Sequence, residues 1–283
     1  MSADAAAVGD VGTWACRRRQ ALAVAGLELL RGLSAGRSLW LLFLAFAPTF
    51  IILMHALHDH DEGHRLERET LILAGIVQVF YVRFGIFFGC LGLSMRLLRG
   101  EVAERTLHYP FLAPVRRDVL LLGKLLAATL TAALLFGAGI VASTLFMYGH
   151  FEAGREFLLE GAGLAHLRAN LLVAVLACLG YGAVFLALSL LTKNPILPAV
   201  FVLLWEGMSG VLPVWLKRLS VTHYLKALFP VELPVEGISG LFTVVAEPTP
   251  PWLAVSGLLA FVALVVAFAC WRVRSFEIGY GTE

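Results

Sequence analysis

Charged side chains are scarce in this chain, and their scarcity excludes a soluble globular domain. Only 15% of its 283 residues are Asp, Glu, Lys or Arg, whereas 59% are apolar. A domain of this length in water could not hide so much apolar surface. The apolar runs also lack the alternation of a membrane β-barrel. Because backbone polar groups in lipid must be satisfied within their own segment, we expect an all-α integral membrane protein.

Motifs for catalysis and metal binding are also missing. Gly123-Lys124 is followed by Leu125, and Asp118 rather than Gly stands five residues before Gly123, so the pair is not part of a P-loop. The HExxH zinc motif does not occur. The four cysteines form no CxxC pair, and none falls in a predicted outer loop, where disulfides would form. We expect neither enzymatic activity nor a cofactor in this chain, and no nucleic-acid partner.

The sequence instead contains six long apolar runs. A hydrocarbon core of about 30 Å requires roughly 20 residues of helix. We therefore predict six transmembrane helices within a membrane domain of residues 39–272. The predicted spans are Leu39–Leu57, Leu71–Leu98, Val119–Met147, Leu167–Leu191, Pro195–Leu216 and Trp252–Trp271. Asn194 and Pro195 suit the N-cap and the first helical position of the fifth span.

Basic residues predict the orientation of these spans. Of the 22 Lys and Arg, 14 fall on the side that holds both termini and 7 on the other, with Arg83 alone inside a span. Because cytoplasmic loops are enriched in Lys and Arg, we expect the N-terminal region 1–38 and the tail 273–283 in the cytoplasm. The long excursion 217–251 then lies on the outer side.

The region before the first span has an amphipathic pattern from Arg17 to Arg37. Leu22, Leu29 and Leu33 can line one face of a helix, while Glu28 and Arg31 form an i, i+3 pair on another. This predicts an interfacial helix on the inner leaflet. The alternative is a cytoplasmic tail of no special shape.

A polar, basic segment, residues 99–117, joins spans two and three; we call it the coupling segment. Pro110 and Pro114 break helix there and force an extended elbow. Arg116 and Arg117 then suit the phosphate layer at the start of span three. Such a segment cannot enter lipid, so it forms a cytoplasmic knob. The alternative is a loop whose positive charge reports topology and nothing more.

The coupling segment and the start of span three resemble the permease subunits of ABC-2 type transporters. The family places acidic residues, a Gly-Thr-Leu step, a Pro and a Gly-Lys at similar spacing after its second span. Arg105 stands where the family usually has Gly. The excursion 217–251 also resembles the family's outer excursion, which often contains short helices dipping back into the membrane. The matching residues are Glu101, Glu104, Thr106, Leu107, Pro114, Gly123 and Lys124.

The resemblance implies an ABC-2 type permease fold in a bacterial-type inner membrane and a division of labour. A separate cytoplasmic ATPase would bind ATP and Mg²⁺ and contact the coupling segment. A second permease chain, identical or related, would complete a path for export. Gly123 and Lys124 would set the return of the chain into span three. The residues expected to contact the ATPase are Glu101, Glu104, Arg105, Thr106, Leu107, Pro110 and Pro114.

A second hypothesis keeps the ATPase but removes the transport. In it, the chain is an anchor that transmits ATPase-driven motion to a periplasmic partner, as in metalloenzyme maturation or surface machinery. The histidine-rich outer loop is the feature that favours it. His58, His60 and His64 could bind Zn²⁺ or Cu²⁺ there, or the loop is an ordinary solvated turn.

Two charges lie near the middle of predicted spans. Arg83 stands about twelve residues into span two and Glu206 about eleven into span five. A lone charge at that depth costs at least about 2.5–3.5 kcal/mol on insertion scales, so we expect the two to meet. The pair would line a path or gate, or it would be a static ion pair that holds two helices together.

Overall fold

A computed structural model describes residues 14–34, 39–58, 66–100, 115–192, 194, 196–208, 213–233 and 249–274. Every regular element among them is helical, and none of these residues forms a strand. The expectation of an all-α chain is confirmed. The helices are α1 Trp14–Ser34, α2 Leu39–His58, α3 Leu66–Leu97, α4 Arg117–Gly149, α5 Glu152–Leu159, α6 Gly163–Leu191, α7 Ile196–Gly207, α8 Val214–Lys217, α9 Val221–Lys226 and α10 Pro251–Arg274.

Five of these helices have the length and apolarity needed to cross a bilayer. They are 20 to 33 residues long, with mean hydropathies between 2.0 and 2.7. Since about 20 apolar residues in helix span the hydrocarbon core, the chain is a multi-pass membrane protein. The five helices are α2, α3, α4, α6 and α10.

The predicted fifth span, Pro195–Leu216, is not one continuous helix. Helix α7 has 12 residues and is about 18 Å long, which is too short to cross the hydrocarbon core alone. It ends at Gly207, a poor helix former, and Pro213 precedes the four-residue helix α8. At the start of α7, Asn194 Oδ1 accepts a hydrogen bond from Ile196 N at 3.2 Å, as expected of an N-cap.

Contacts between helix ends fix the relative directions of the long helices. Lys124 Nζ donates to Leu97 O at 2.9 Å, which joins the start of α4 to the end of α3. Arg274 Nη2 donates to Asp118 Oδ2 at 3.3 Å, which joins the end of α10 to the start of α4. These helix termini therefore lie at one end of the bundle, which we call the basic end.

The chain between α6 and α10 has to connect the two ends of the bundle. Gly137 of α4 lies beside Leu171 of α6, and Gly182 lies beside Thr129, so α4 and α6 run antiparallel and α6 ends at the basic end. Helix α10 also ends there. The chain between α6 and α10 must consequently pass from the basic end to the opposite end. Since α7 alone is too short, this passage is discontinuous.

Glycines allow the central helices to approach closely. A Cβ on Gly89 would lie 2.6 Å from the ring of Phe136, and one on Gly85 would lie 3.1 Å from it. The small-residue pair in α3 therefore accepts a side chain of α4. Phe87 packs edge-on against Phe185 of α6, with ring centroids 4.8 Å apart. The core lies mainly among α2, α3, α4, α6 and α10.

Helix α3 contains an 11-residue π-helical stretch, Ile76–Ile86. Within it, Tyr81 Oη lies 2.9 Å from Ser143 Oγ of α4 and 3.0 Å from Thr49 Oγ1 of α2. The buried hydroxyls thus satisfy each other across three helices, as polar groups inside a membrane must. Arg83 belongs to the same stretch, and π-helical segments frequently occur at functional sites.

Helix α1 packs on α4 through its small residues. A Cβ on Gly123 would lie 2.8 Å from Val24 Cβ and 2.9 Å from Ala21 O, and Ala25 is buried. Small residues allow the backbones of two helices to approach closely. Leu22, on the face predicted to lie against the inner leaflet, is 52% exposed and does not take part in this packing.

Candidate functional site

The coupling segment is described only at its two flanks. The last residues of α3 belong to a π-helical turn, Met95–Gly100, and Arg116 is the N-cap of α4. The predicted ATPase contacts lie outside the described residues; they are Glu101, Glu104, Arg105, Thr106, Leu107, Pro110 and Pro114.

Lys124 joins three helices at the basic end. Its side chain is 0% exposed, and its ammonium donates to Glu28 Oε1 of α1 at 3.1 Å and to Leu97 O of α3 at 2.9 Å. Glu28 is 12% exposed, and Arg31 Nη1 lies 3.9 Å from the same oxygen. With Gly123 admitting the backbone of α1, the Gly-Lys pair forms a joint between α1, α3 and α4. We call it the Lys124 joint.

A second group of charges ties α4 to α10. Asp118 accepts hydrogen bonds from Arg116 Nη2 at 3.0 Å and from Arg274 Nη2 at 3.3 Å. Asp118 Oδ1 also accepts a hydrogen bond from Val119 N at 3.1 Å. The dipole of α4 stabilises a carboxylate at this N-terminal position. Arg117 Nη1 donates to Arg274 O at 3.3 Å. Both flanks of the coupling segment are thus bonded to other helices.

The Glu206 carboxylate binds the start of helix α9. It is 4% exposed, and it accepts hydrogen bonds from Ser220 Oγ at 2.7 Å and from the backbone N–H groups of Val221 and Thr222, each at 2.9 Å. Ser220 Oγ in turn accepts from His223 N at 3.2 Å, which completes the cap of the helix. A buried carboxylate is stabilised by such charge-assisted bonds.

Helix α9 lies deep in the bundle. Thr222 Oγ1 is 3.0 Å from Tyr181 Oη, and a Cβ on Gly180 would lie 2.9 Å from Val221. Tyr181 is about 15 Å from the end of α6 and about 27 Å from its start. The carboxylate of Glu206 therefore lies inside the bundle, beside the second half of α6.

Arg83 lies next to α7 but is not ion-paired with Glu206. Its Nη2 would lie 2.7 Å from a Cβ on Gly207, the residue that follows Glu206. The ion pairs among the described residues do not include Arg83 with Glu206. The structure thus brings the two predicted residues to the same place without a direct bond, and Arg83 itself is exposed on the side of the bundle.

Two lysines, Lys217 and Lys226, lie on either side of the segment that binds Glu206, a position that the sequence does not reveal. Lys217 is 8% exposed, and its C=O accepts from Ser220 N at 3.0 Å. Lys226 ends α9 and is exposed. Counted along the chain, both lysines belong to the outer excursion. Their position beside the core of the bundle becomes visible only from the packing of α9 against α6.

The histidine-rich loop is described only at its start. His58 is exposed at the end of α2, and His60 and His64 lie outside the described residues. Nearby, His55 Nε2 lies 3.3 Å from Glu69 Oε2. Among the residues that the structure covers, no group of three His, Cys, Asp or Glu is arranged to hold a metal ion. None of the four cysteines forms a disulfide.

Comparisons with known proteins identify no family. A scan against protein-family models gives no match, and a search of curated proteins gives none either. Gly32–Gly36 has the GxSxG spacing of hydrolases, but Ser34 ends α1, and the described residues provide no strand before it. The fold and the two sites define a multi-pass, all-α membrane protein with a charged joint at one end and a buried carboxylate, Glu206, bonded to the start of α9.

Proposed function

We propose that the chain is the membrane-spanning permease subunit of an ATP-driven ABC-2 type transporter that works as an exporter. It would cross a bacterial-type inner membrane six times, with a discontinuous fifth crossing and both termini in the cytoplasm. A separate cytoplasmic ATPase would bind ATP and Mg²⁺ and contact the coupling segment. A second permease chain would complete the path.

The observation that carries the proposal is the bonding of both flanks of the coupling segment to the membrane helices. The resemblance to ABC-2 permeases rests on residues 101–124, and the described end of that stretch, Gly123-Lys124, joins α1, α3 and α4. Asp118 and Arg117 join α4 to α10. Displacement of the coupling segment by an ATPase would therefore move α1, α3 and α4 together, because the buried charge-assisted bonds of Lys124 resist separation. The exposed bonds of Arg117 and Asp118 would link α10 to the same movement more weakly.

The exposed position of Arg83 supports the second chain and the path. A cation at mid-depth that faced lipid would cost at least about 2.5–3.5 kcal/mol on insertion scales. This side of the bundle is better suited to water or to the polar surface of another chain. In the proposed dimer it lines the space between two permease subunits.

The proposal is tested by affinity purification from native membranes. The intact chain is compared with a variant in which residues 106–114 are scrambled, and with a control variant in which residues 160–162, at the opposite end of the bundle, are scrambled. We expect the intact chain and the control to retain a protein whose peptides contain P-loop and Walker B sequences, and the 106–114 variant to lose it. Equal retention by all three, or no such protein in any, would contradict the proposal.

A further inference from the structure

A small pocket lies between α3, α4 and α6; we call it the Asn170 pocket. Gly163, the first residue of α6, and Tyr148, the last residue but one of α4, both line it. The pocket is therefore at the end of the bundle opposite the basic end. Gln78 Nε2 of α3 donates to Val231 O at 2.7 Å, which holds the segment after α9 at the wall of the pocket.

The side chain of Asn170 is buried in this pocket without a protein partner. Asn170 is 7% exposed, and its amide makes no hydrogen bond with any residue that the structure describes. Protein atoms do not seal the amide off, so its open side faces the pocket. A buried amide that has exchanged its bonds to water for none is unfavourable. The amide is thus available for a ligand.

His166 lies one turn before Asn170 on the same face of α6. Its ring packs edge-on against Phe157, with centroids 5.6 Å apart. Within the described parts of the chain, the ring nitrogens of His166 make no hydrogen bond. Two unbonded polar side chains of one helix therefore line the same pocket.

The hydroxyl groups in the wall of the pocket have already donated their protons elsewhere. Thr144 Oγ1 donates to Ile140 O at 2.8 Å. Tyr148 Oη donates to Thr70 Oγ1 at 3.2 Å. These oxygens keep lone pairs that accept, whereas Asn170 offers two N–H donors and one acceptor. A ligand group that both donates and accepts suits the pocket best.

Charge and size narrow the ligand further. None of the described residues that line the pocket is Asp, Glu, Lys or Arg. An anion or an ammonium would therefore lose its hydration without gaining a partner of opposite charge. The cavity measures about 10 Å³, which is room for roughly one water-sized group. An uncharged hydroxyl group meets all of these conditions.

The depth of the pocket indicates where such a group comes from. Helices α3, α4 and α6 have 32, 33 and 29 residues, so they are roughly 43–50 Å long and exceed the hydrocarbon core of about 30 Å. Their ends therefore reach the headgroup layer. Thr70 and His166 are half-buried at the rim, so the pocket opens to the surface there. Lipid headgroups and dissolved molecules both have access to it.

We infer that the Asn170 pocket binds the uncharged hydroxyl group of an alcohol, which is either a small free alcohol or a lipid whose headgroup is a hydroxyl. The hydroxyl accepts from the amide of Asn170 and donates to an oxygen of the wall. This site goes beyond the proposed function, because it lies away from the coupling segment and does not depend on an ATPase.

Native mass spectrometry of the full chain, in a detergent without hydroxyl groups, tests the inference. The lipid probes are 1,2-diacylglycerol, its 3-acetate (which lacks the free hydroxyl) and phosphatidic acid, all with the same acyl chains; glycerol is the free alcohol. We expect diacylglycerol to bind more tightly than its acetate and than phosphatidic acid if the headgroup is the ligand. Glycerol should bind, and displace diacylglycerol, if the free alcohol is the ligand.

Variants of α6 assign the binding to the pocket. Asn170→Leu should weaken binding about tenfold, as the loss of about two neutral hydrogen bonds does. Ala165→Leu adds the same side chain on the exposed side of α6 and should leave binding unchanged. His166→Phe keeps an aromatic ring against Phe157 and should weaken binding about threefold. It provides the readout if Asn170→Leu does not fold.

Equal binding of diacylglycerol and its acetate, without binding of glycerol, would overturn the inference, because the pocket would then hold water alone. Phosphatidic acid that binds as tightly as diacylglycerol would contradict an uncharged ligand. Equal affinities of Asn170→Leu and Ala165→Leu, or of His166→Phe and the unaltered chain, would show that the alcohol binds elsewhere.

Discussion

Replacement of Lys124 by Met should destabilise the bundle more than any other single loss of charge at the basic end. Met has nearly the same length as Lys and is favourable in an apolar site. The change therefore removes the ammonium while most of the side-chain packing is retained. Glu28 then loses its 3.1 Å partner, and Leu97 O loses the 2.9 Å hydrogen bond from Lys124 Nζ.

The expected loss is about 3–5 kcal/mol of unfolding free energy, the range for removing one partner of a buried ion pair. Lys124 is fully buried, and Glu28 is 12% exposed, so water replaces little of the lost interaction. Arg31 Nη1, at 3.9 Å from Glu28 Oε1, gives only weak compensation. The double variant Lys124→Met with Glu28→Leu should recover at least half of the loss, because no unpaired carboxylate remains. Full recovery is not expected, since Leu97 O stays unsatisfied.

Unfolding by SDS in mixed micelles, followed by circular dichroism, measures these differences. Arg155→Met is the control, because Arg155 is exposed on α5 at the other end of the bundle, and it should change the free energy by less than about 0.5 kcal/mol. If Lys124→Met is as stable as the control, or if Glu28→Leu makes it worse, the Lys124 joint does not hold α1, α3 and α4 together as described.

Three further predictions concern the contacts around α1, α7 and α9. Gly123→Leu should displace α1, since its Cβ would already lie 2.8 Å from Val24 Cβ. Proteolysis at the basic end should then release α1 faster than in Gly26→Leu, where no atom lies within 4 Å of the added Cβ. Glu206→Gln should lower stability by about 1–3 kcal/mol, because the amide cannot accept all three bonds with a full charge; a loss no larger than that of an exposed Glu152→Gln would refute the cap. Arg83→Glu should impair assembly with a second chain, and cross-linked dimers in membranes should decrease; an unchanged dimer yield would place Arg83 away from the interface.

Much of the membrane architecture could be predicted from local composition. The first span is predicted as Leu39–Leu57 and observed as Leu39–His58, and the fourth is predicted as Leu167–Leu191 and observed as Gly163–Leu191. Apolar runs of this length have few alternatives to helix, so their existence is well determined. The break after Gly207 was missed because hydropathy stays high through Leu216, although Gly207, Gly210 and Pro213 are helix breakers that the sequence shows.

The sequence allowed the residues of the candidate sites to be predicted, but not the groups that they contact. Arg83 and Glu206 stand out because charges are rare at that depth, and the simplest prediction pairs them. The structure gives Glu206 the backbone N–H groups of α9 instead, which requires Val221–Lys226 to pack beside α6. Likewise, Lys124 stands out, but its partner Glu28 is 96 residues away. Local patterns predict special residues, whereas distant contacts depend on how whole helices pack.

The most direct test of the proposed coupling places a photo-crosslinking amino acid at Thr106 and, as a control, at His150 near the opposite end of the bundle. Irradiated native membrane vesicles are analysed by mass spectrometry. We expect the probe at position 106 to capture a P-loop ATPase, with a yield that changes when ATP and Mg²⁺ are added, and the probe at position 150 to capture none. Crosslinks from position 106 to lipid and water alone would contradict the account.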